Sequence, residues 1–334
     1  MNHATCCALL CTFLLGCEGA STATSTASRS TPPPAVATPA ASPSPVVTID
    51  GVQAAAAFDS SKAWEHLRQM VAIGPRPAGS AAIRQTRAYI TRQLSAIGIT
   101  VEEQPFVGQT PIGPIEMVNL IARLPGKRTE RILFTGHYDT KLFKNEVFVG
   151  ASDAASSAAF LIELARVLKD QPREFTYEFV WFDGEEAVVD WNMSLPDGTT
   201  DNTYGSKYYV QAAQKAKALT SIKAMILIDM IGDRDLAIRR EQQSTTWLKD
   251  VIWGAAKKIG HGKIFLDEET QIDDDHLPFL KAGVPSVDII DLEYPAWHTP
   301  KDNLQAVSAR SLQIVGDVVL AALPEIVKRA ASGK

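Results

Sequence analysis

The chain has no cysteine beyond position 17. Its four cysteines, Cys6, Cys7, Cys11 and Cys17, all fall at the start of 334 residues. Whatever folds after them is built without a disulfide and without a thiolate metal ligand. Basic excess is also missing: 33 Lys and Arg stand against 38 Asp and Glu, a net charge of −5. With no basic stripe, a nucleic acid or other polyanion is excluded as a partner. The N-terminal apolar run, CALLCTFLLGC at residues 7–17, is too short to span a bilayer. What is present is ordinary globular composition, 46% hydrophobic and 21% charged, ample for a large core.

That opening run has the length of a signal-peptide core. It ends in Leu14-Leu15-Gly16-Cys17, preceded by His3 but no Lys or Arg. A small residue before cysteine resembles a bacterial lipobox, with Cys17 as the lipidated residue; plain secretion is the alternative. Residues 18–48 are rich in Ser, Thr, Ala and Pro. Such a stretch buries too little apolar surface to offset chain entropy and reads as an extended tether. The expected organisation is a signal segment at 1–17, a linker at 18–48 and one catalytic domain at 49–334. The expected location is the periplasm or cell envelope, with membrane contact only through a lipid on Cys17.

From about residue 50 helical and strand patterns alternate. AWEHLRQMVAIG and SAAIRQTRAYITRQLSAIG carry apolar residues at helical spacing. ITVEEQPFV and EMVNLIARL read as strands, with Pro111, Gly113 and Pro114 at the turn between them. RILFTGHYD, FTYEFVWFD, KAMILIDMIG and PSVDIID are nearly continuous apolar runs, the pattern of strands buried on both faces. SDAASSAAFLIELARVLKD predicts a helix with Ser152 or Asp153 near its N-terminus. LAIRR reads as a short strand, DDDHLPFLKAG as a short helix, and residues 308–330 as a closing helix. The order predicts a three-layer α/β/α sandwich around a mixed, mostly parallel sheet.

In such sheets sites form beyond the carboxyl ends of the strands. His137, Glu185, Asp229 and Asp291 each lie at or just past the end of an apolar run. In His137-Tyr138-Asp139 an imidazole and a carboxylate share one side of an extended strand end. That is the pattern of a metal-binding histidine whose other nitrogen is held by a carboxylate. Asp153 opens a helix, where capping alone would explain it, but its company points to a metal. Glu185 and Glu186 are adjacent at a buried strand end and repel unless a cation or a shared proton intervenes. One can bind metal while the other serves as a base. Asp229 sits in an apolar run, where an unpaired charge would be costly, so it needs a metal, a proton or donors. His298 supplies a nitrogen ligand of the kind zinc takes.

These blocks, HYD, GASDAAS, FDGEE, LIDMIG and WHTP, resemble in content and order the zinc aminopeptidase and glutaminyl cyclase superfamily. The resemblance runs from about Trp64 to the last helix and implies a zinc aminopeptidase-like fold. Two chemistries compete within it. Aminopeptidases hold two zincs, which the resemblance would assign to His137, Asp153 and Asp229, and to Asp153, Glu186 and His298. Glutaminyl cyclases keep the same residue types but bind one zinc through Asp153, Glu186 and His298. Trp297 before His298, Trp191 five residues after the glutamate pair, Lys141 in HYDTK and the DDDHLPFL run are similar to the cyclases.

The cyclase resemblance implies conversion of an N-terminal glutamine on peptides or proteins to pyroglutamate, with ammonia released. Zinc would act as a Lewis acid and Glu185 as general acid and base. Asp229 and Asp274 would form a proton-sharing carboxylate pair. Trp297, Trp191 and Tyr294 would wall the substrate pocket, while His137 and Asp139 would serve a second metal or support the first. Asp273 stands where animal cyclases carry glutamine. The alternative reading is a di-zinc aminopeptidase releasing N-terminal residues, with Glu185 activating water.

Overall fold

The computed structural model describes residues 57–333. The signal segment, the linker and the expected boundary at residue 49 lie outside the described residues.

The chain begins with helices α1 (Ser60–Ile73) and α2 (Ala81–Ala96). Strands β1 (Val101–Thr110), β2 (Gly113–Leu124) and β3 (Arg128–His137) follow, then α3 (Ser157–Leu168), β4 (Phe175–Phe182) and α4 (Tyr204–Lys215). After β5 (Ile222–Asp229) and β6 (Ile238–Glu241) come α5 (Thr246–Lys258), β7 (Phe265–Thr270), α6 (His276–Lys281), β8 (Ser286–Ile290) and α7 (Ala309–Ser332). The β1–β2 hairpin turns where Pro and Gly predicted it, with Thr110 paired to Gly113 and Gly113 at φ 111°.

Six strands form one sheet in the order β1-β2-β4-β3-β5-β8. β1 and β2 pair antiparallel, as do β2 and β4, whereas β4-β3-β5-β8 are parallel neighbours. Alternate residues feed two cores. Phe134, Phe179, Ile226 and Val287 face the core shared with α1, α3, α5 and α7. Leu133, Val180, Met225 and Leu227 face Tyr209 of α4 and Phe279 of α6. Burial on both faces is why these strands read as unbroken apolar runs, and the result is the expected three-layer α/β/α arrangement. Trp181 fastens the layers by donating from Nε1 to Ala158 O at 3.0 Å.

Two local features differ from the sequence expectation. β7 pairs with β6 in a separate two-stranded sheet. Its acidic run FLDEET, half of it exposed, carries no strand-like apolar pattern. Asp153 does not cap α3, which begins four residues later. Asp153 (φ −111°, ψ 89°) and Ala154 (φ −124°, ψ 33°) are non-helical, and the peptide between them is cis. Helix-dipole stabilisation of Asp153, which acts within the first turn, therefore does not apply.

Candidate active site

The parallel strands β4, β3, β5 and β8 end on one side, and the chemistry collects there. His137 is the last residue of β3 and Asp229 the last of β5. Glu185 and Glu186 turn off just beyond β4, and their backbone N–H groups both donate to the Asp139 carboxylate, at 3.2 and 3.3 Å. Asp139 thus fixes the glutamate corner and also lies 3.3 Å from His137 Nδ1. Asp291, at the end of β8, stays outside the cluster; its carboxyl accepts from Ala237 N, and burial pushes it up to about 7.

Asp153 reaches the cluster from the β3–α3 connection. Gly150 precedes it at φ 52°, where an added Cβ would lie 1.8 Å from Asp153 O. Only glycine fits that turn. His298 arrives from the loop after β8 with φ 52°, a left-handed conformation costing about 1–3 kcal/mol. Phe143 and Phe148 stand edge-on to its ring, at centroid distances of 6.0 and 5.8 Å.

Two groups of donors have the spacing of a metal cage. Asp153, Glu186 and His298 each offer a ligand atom within 4.8 Å of the others, as do His137, Asp153 and Asp229. His298 Nε2 lies 3.1 Å from Glu186 Oε1 and 3.3 Å from Asp153 Oδ2. His137 Nε2 lies 3.2 Å from Asp153 Oδ1 and from Asp229 Oδ1, yet no well-directed hydrogen bond satisfies it. Asp153 turns one oxygen toward each group.

The electrostatics suit a cation. Burial works against the charged form of His298, but Asp153 and Glu186 prevail and raise it to about 10. Burial opposes the Asp153 carboxylate, but the His137 and His298 imidazoles beside it hold it below its usual range. Burial and the Asp153 charge push Glu186 up against the pull of His298. A donor set with this much surplus negative charge, one imidazole and two carboxylates, fits zinc.

A cavity of about 320 Å³ opens over these groups. Asp153, Glu185, Glu186, Asp229 and Asp274 line it together with Trp191, Trp297 and His298. Met230, Ile272, Ile290 and Leu292 supply its apolar wall. Burial is the main force raising Glu185 and Asp274 well above the ordinary carboxyl range, with Asp274 charge adding to the first and Asp229 charge to the second. Trp297, 42% exposed, stacks on His298 with centroids 4.4 Å apart.

Comparison with known proteins agrees with this geometry. The family model for peptidase family M28 matches residues 119–323. A solved glutaminyl cyclase from an Acidobacteriales bacterium is 36% identical, covering 85% of this chain and all of the other, with a TM-score of 0.78. The chain belongs to peptidase family M28, within its glutaminyl cyclase group. The mouse glutaminyl-peptide cyclotransferase-like protein is 29% identical over 300 residues, covering 79% of this chain and 76% of that one. The family's peptidases are near as well. A leucine aminopeptidase precursor from Bacteroides thetaiotaomicron is 26% identical, covering 80% of this chain and 97% of the other, with a TM-score of 0.73.

One expectation within this M28 site needs correction. Tyr294 is buried and absent from the cavity lining, because its hydroxyl donates to Asp302 Oδ1 at 2.8 Å. Leu292 stands at the wall instead. Sequence reasoning also missed two supports. Asp302 accepts from Ser152 N and Asp153 N, at 2.8 and 3.1 Å, so it holds the backbone of the Asp153 turn. Arg76, fully buried, donates to Tyr138 O, Val149 O and Gly150 O at 2.6–2.9 Å. It ties the His137–Asp139 strand end to the Asp153 turn. Asp302 was findable in WHTPKDN, four residues past His298; Arg76 lies 61 residues before the first ligand candidate and carries no local signal.

Proposed function

We propose that this chain is a glutaminyl-peptide cyclotransferase, converting an N-terminal glutamine of a peptide to pyroglutamate with release of ammonia. The carrying observation is the make-up of one cavity: three metal donors, a buried glutamate beside them, two further buried carboxyls and two tryptophans. The group of cyclases to which the chain is similar supports the same reaction.

In this reading Asp153, Glu186 and His298 hold one zinc, which when bound polarises the substrate's side-chain carbonyl. Trp191 and Trp297 flank the glutamine side chain and exclude water. Glu185 takes a proton from the α-amino group, whose nitrogen then bonds to the δ-carbon, the amide carbonyl carbon of its own side chain. The nucleophile is tethered, so its attack needs no activated water. Glu185 passes the proton to the departing amide nitrogen, the C–N bond breaks and ammonia leaves. Asp229 and Asp274 share protons and position the amine. His137 and Asp139 hold Asp153, Asp229 and the glutamate corner in place.

One observation favours a second reading. The His137, Asp153 and Asp229 donors have the spacing of a second metal site, as a di-zinc aminopeptidase would need. The deciding experiment incubates the purified protein with a Gln-initiated and a Leu-initiated peptide and reads product masses, with zinc measured on the same sample. The cyclase reading expects loss of one ammonia from the first peptide, an intact second peptide and about one zinc per chain. Release of N-terminal residues with about two zincs would replace it by the aminopeptidase reading.

Export and anchoring complete the proposal. An apolar run ending in Leu-Leu-Gly-Cys and the Ser/Thr/Ala/Pro segment after it support an exported protein lipidated at Cys17. No helix among the described residues is long and apolar enough to cross a membrane.

A further inference from the structure

The cavity lining is strongly acidic, and one of its carboxylates differs from the rest. Asp153, Glu185, Glu186, Asp229 and Asp274 are buried, whereas Asp273 is exposed at the rim. Gln243 Nε2 donates to Asp273 Oδ1 at 3.3 Å, which orients the carboxylate. Among the described residues Asp273 makes no other side-chain hydrogen bond and no salt bridge. Lys141 is the one lysine or arginine on the lining, and it is committed. Its Nζ donates to Ala187 O at 2.8 Å and lies 3.9 Å from Glu186 Oε2. Behind Asp273 a smaller cavity of about 120 Å³ holds Lys207 and Lys281. Lys207 is spent on Thr200 and Asn202 oxygens, and neither lysine pairs with Asp273.

The direction of the substrate chain follows from the cyclisation reading, on which this inference rests. An amine held between Glu185 and Asp274 brings its Cα beside Asp274. The next residue departs from that point, and one extended residue spans only about 3.3–3.6 Å. The second side chain therefore passes the rim position next in sequence to Asp274. There it meets a negative charge with no cationic partner among the described residues.

We propose that Asp273 is a specificity-determining residue that favours substrates with Lys or Arg immediately after the glutamine and disfavours Asp or Glu there. A charge pair at an exposed rim changes kcat/KM about three- to tenfold. The preference weakens with salt because the Debye length is about 10 Å at 0.1 M.

The test uses the purified protein with peptides Gln-X-Ala-Ala, where X is Lys, Ala or Glu, and follows ammonia release. Wild type is expected to favour Lys over Glu about tenfold or more at low salt, falling toward parity at about 0.5 M. Asp273→Asn is expected to bring the low-salt ratio near one and Asp273→Lys to invert it, with the Ala peptide as the reference for each variant. A wild-type ratio near one, or a ratio that persists in Asp273→Asn, overturns the proposal. Failure of the cyclisation reading looks different: none of the three peptides loses ammonia, and N-terminal residues are released instead.

Discussion

Glu185 and Glu186 share one buried corner but face different surroundings. Glu186 lies against His298 and Asp153, whereas Glu185 lies 3.7 Å from His137 Nδ1 and faces Asp274 across the cavity. Neighbouring side chains can thus divide metal binding from proton transfer. Glu185→Gln keeps the shape and removes the base. The expected outcome is retained zinc with turnover reduced about 100-fold or more, checked by metal analysis and initial rates; near-wild-type turnover would take Glu185 out of the base role. Trp297 lines the cavity, exposed and stacked on His298, where the proposed function gives it the substrate. Trp297→Ala should raise KM about 10-fold with a smaller change in kcat, and unaltered KM would make the ring mere packing. At this scale the sequence was legible where chemistry forces an unusual pattern, such as paired glutamates after a buried strand. It was not legible at Tyr294. An aromatic near the metal loop can face the cavity or the interior, and here the buried hydroxyl found Asp302.

The elements position these groups by strand ends, which is why four parallel runs of apolar residues sufficed to place His137, Glu185 and Asp229 together. Asp153 was harder to foresee. A helical pattern continues through its segment, but the chain bends out of helix there, held by Gly150, Asp302 and Arg76. β7 was missed for the opposite reason, since three of its six residues are exposed acids and only Phe265 is buried, so no apolar alternation marks the strand that pairs with β6. Arg76 carries an element-scale prediction. It bonds three carbonyls on two ligand-bearing turns, and burial lowers its guanidinium to about 10 against the pull of Asp302, Asp139 and Asp153. Arg76→Met leaves those carbonyls without donors, at about 1–3 kcal/mol each. Arg76→Lys keeps a charge but not the planar fork. Both variants are expected to lose about 10- to 100-fold in zinc affinity, measured by competition with a chelator. Circular dichroism of the Lys variant should report an intact sheet. Unchanged affinity in Arg76→Lys would mean that the turns hold their geometry without the fork.

On the scale of the molecule, the active end of the sheet concentrates negative charge in the interior. Asp139, Asp153, Glu185, Glu186, Asp229 and Asp274 are all buried there. Their mutual repulsion is present in the folded state and relaxed in the unfolded chain, so a cation at the centre should act on folding as well as on catalysis. A ligand bound only by the native state stabilises it by RT ln(1 + [L]/Kd), about 2.7 kcal/mol at a hundredfold excess over Kd. For a domain of this size that corresponds to a rise in Tm of roughly 5 °C. Calorimetry of chelator-treated protein, titrated with zinc, should show this rise. Glu185→Gln should retain it, because Glu185 is not one of the three donors. His298→Ala should lose most of it, because the cage loses its nitrogen. The rise should saturate near one zinc per chain if His137 and Asp229 work as supports. Continued gain toward two would instead recruit them as ligands and favour peptide hydrolysis. A Tm indifferent to zinc in the wild type would mean that this acidic end is held together by protons rather than by metal.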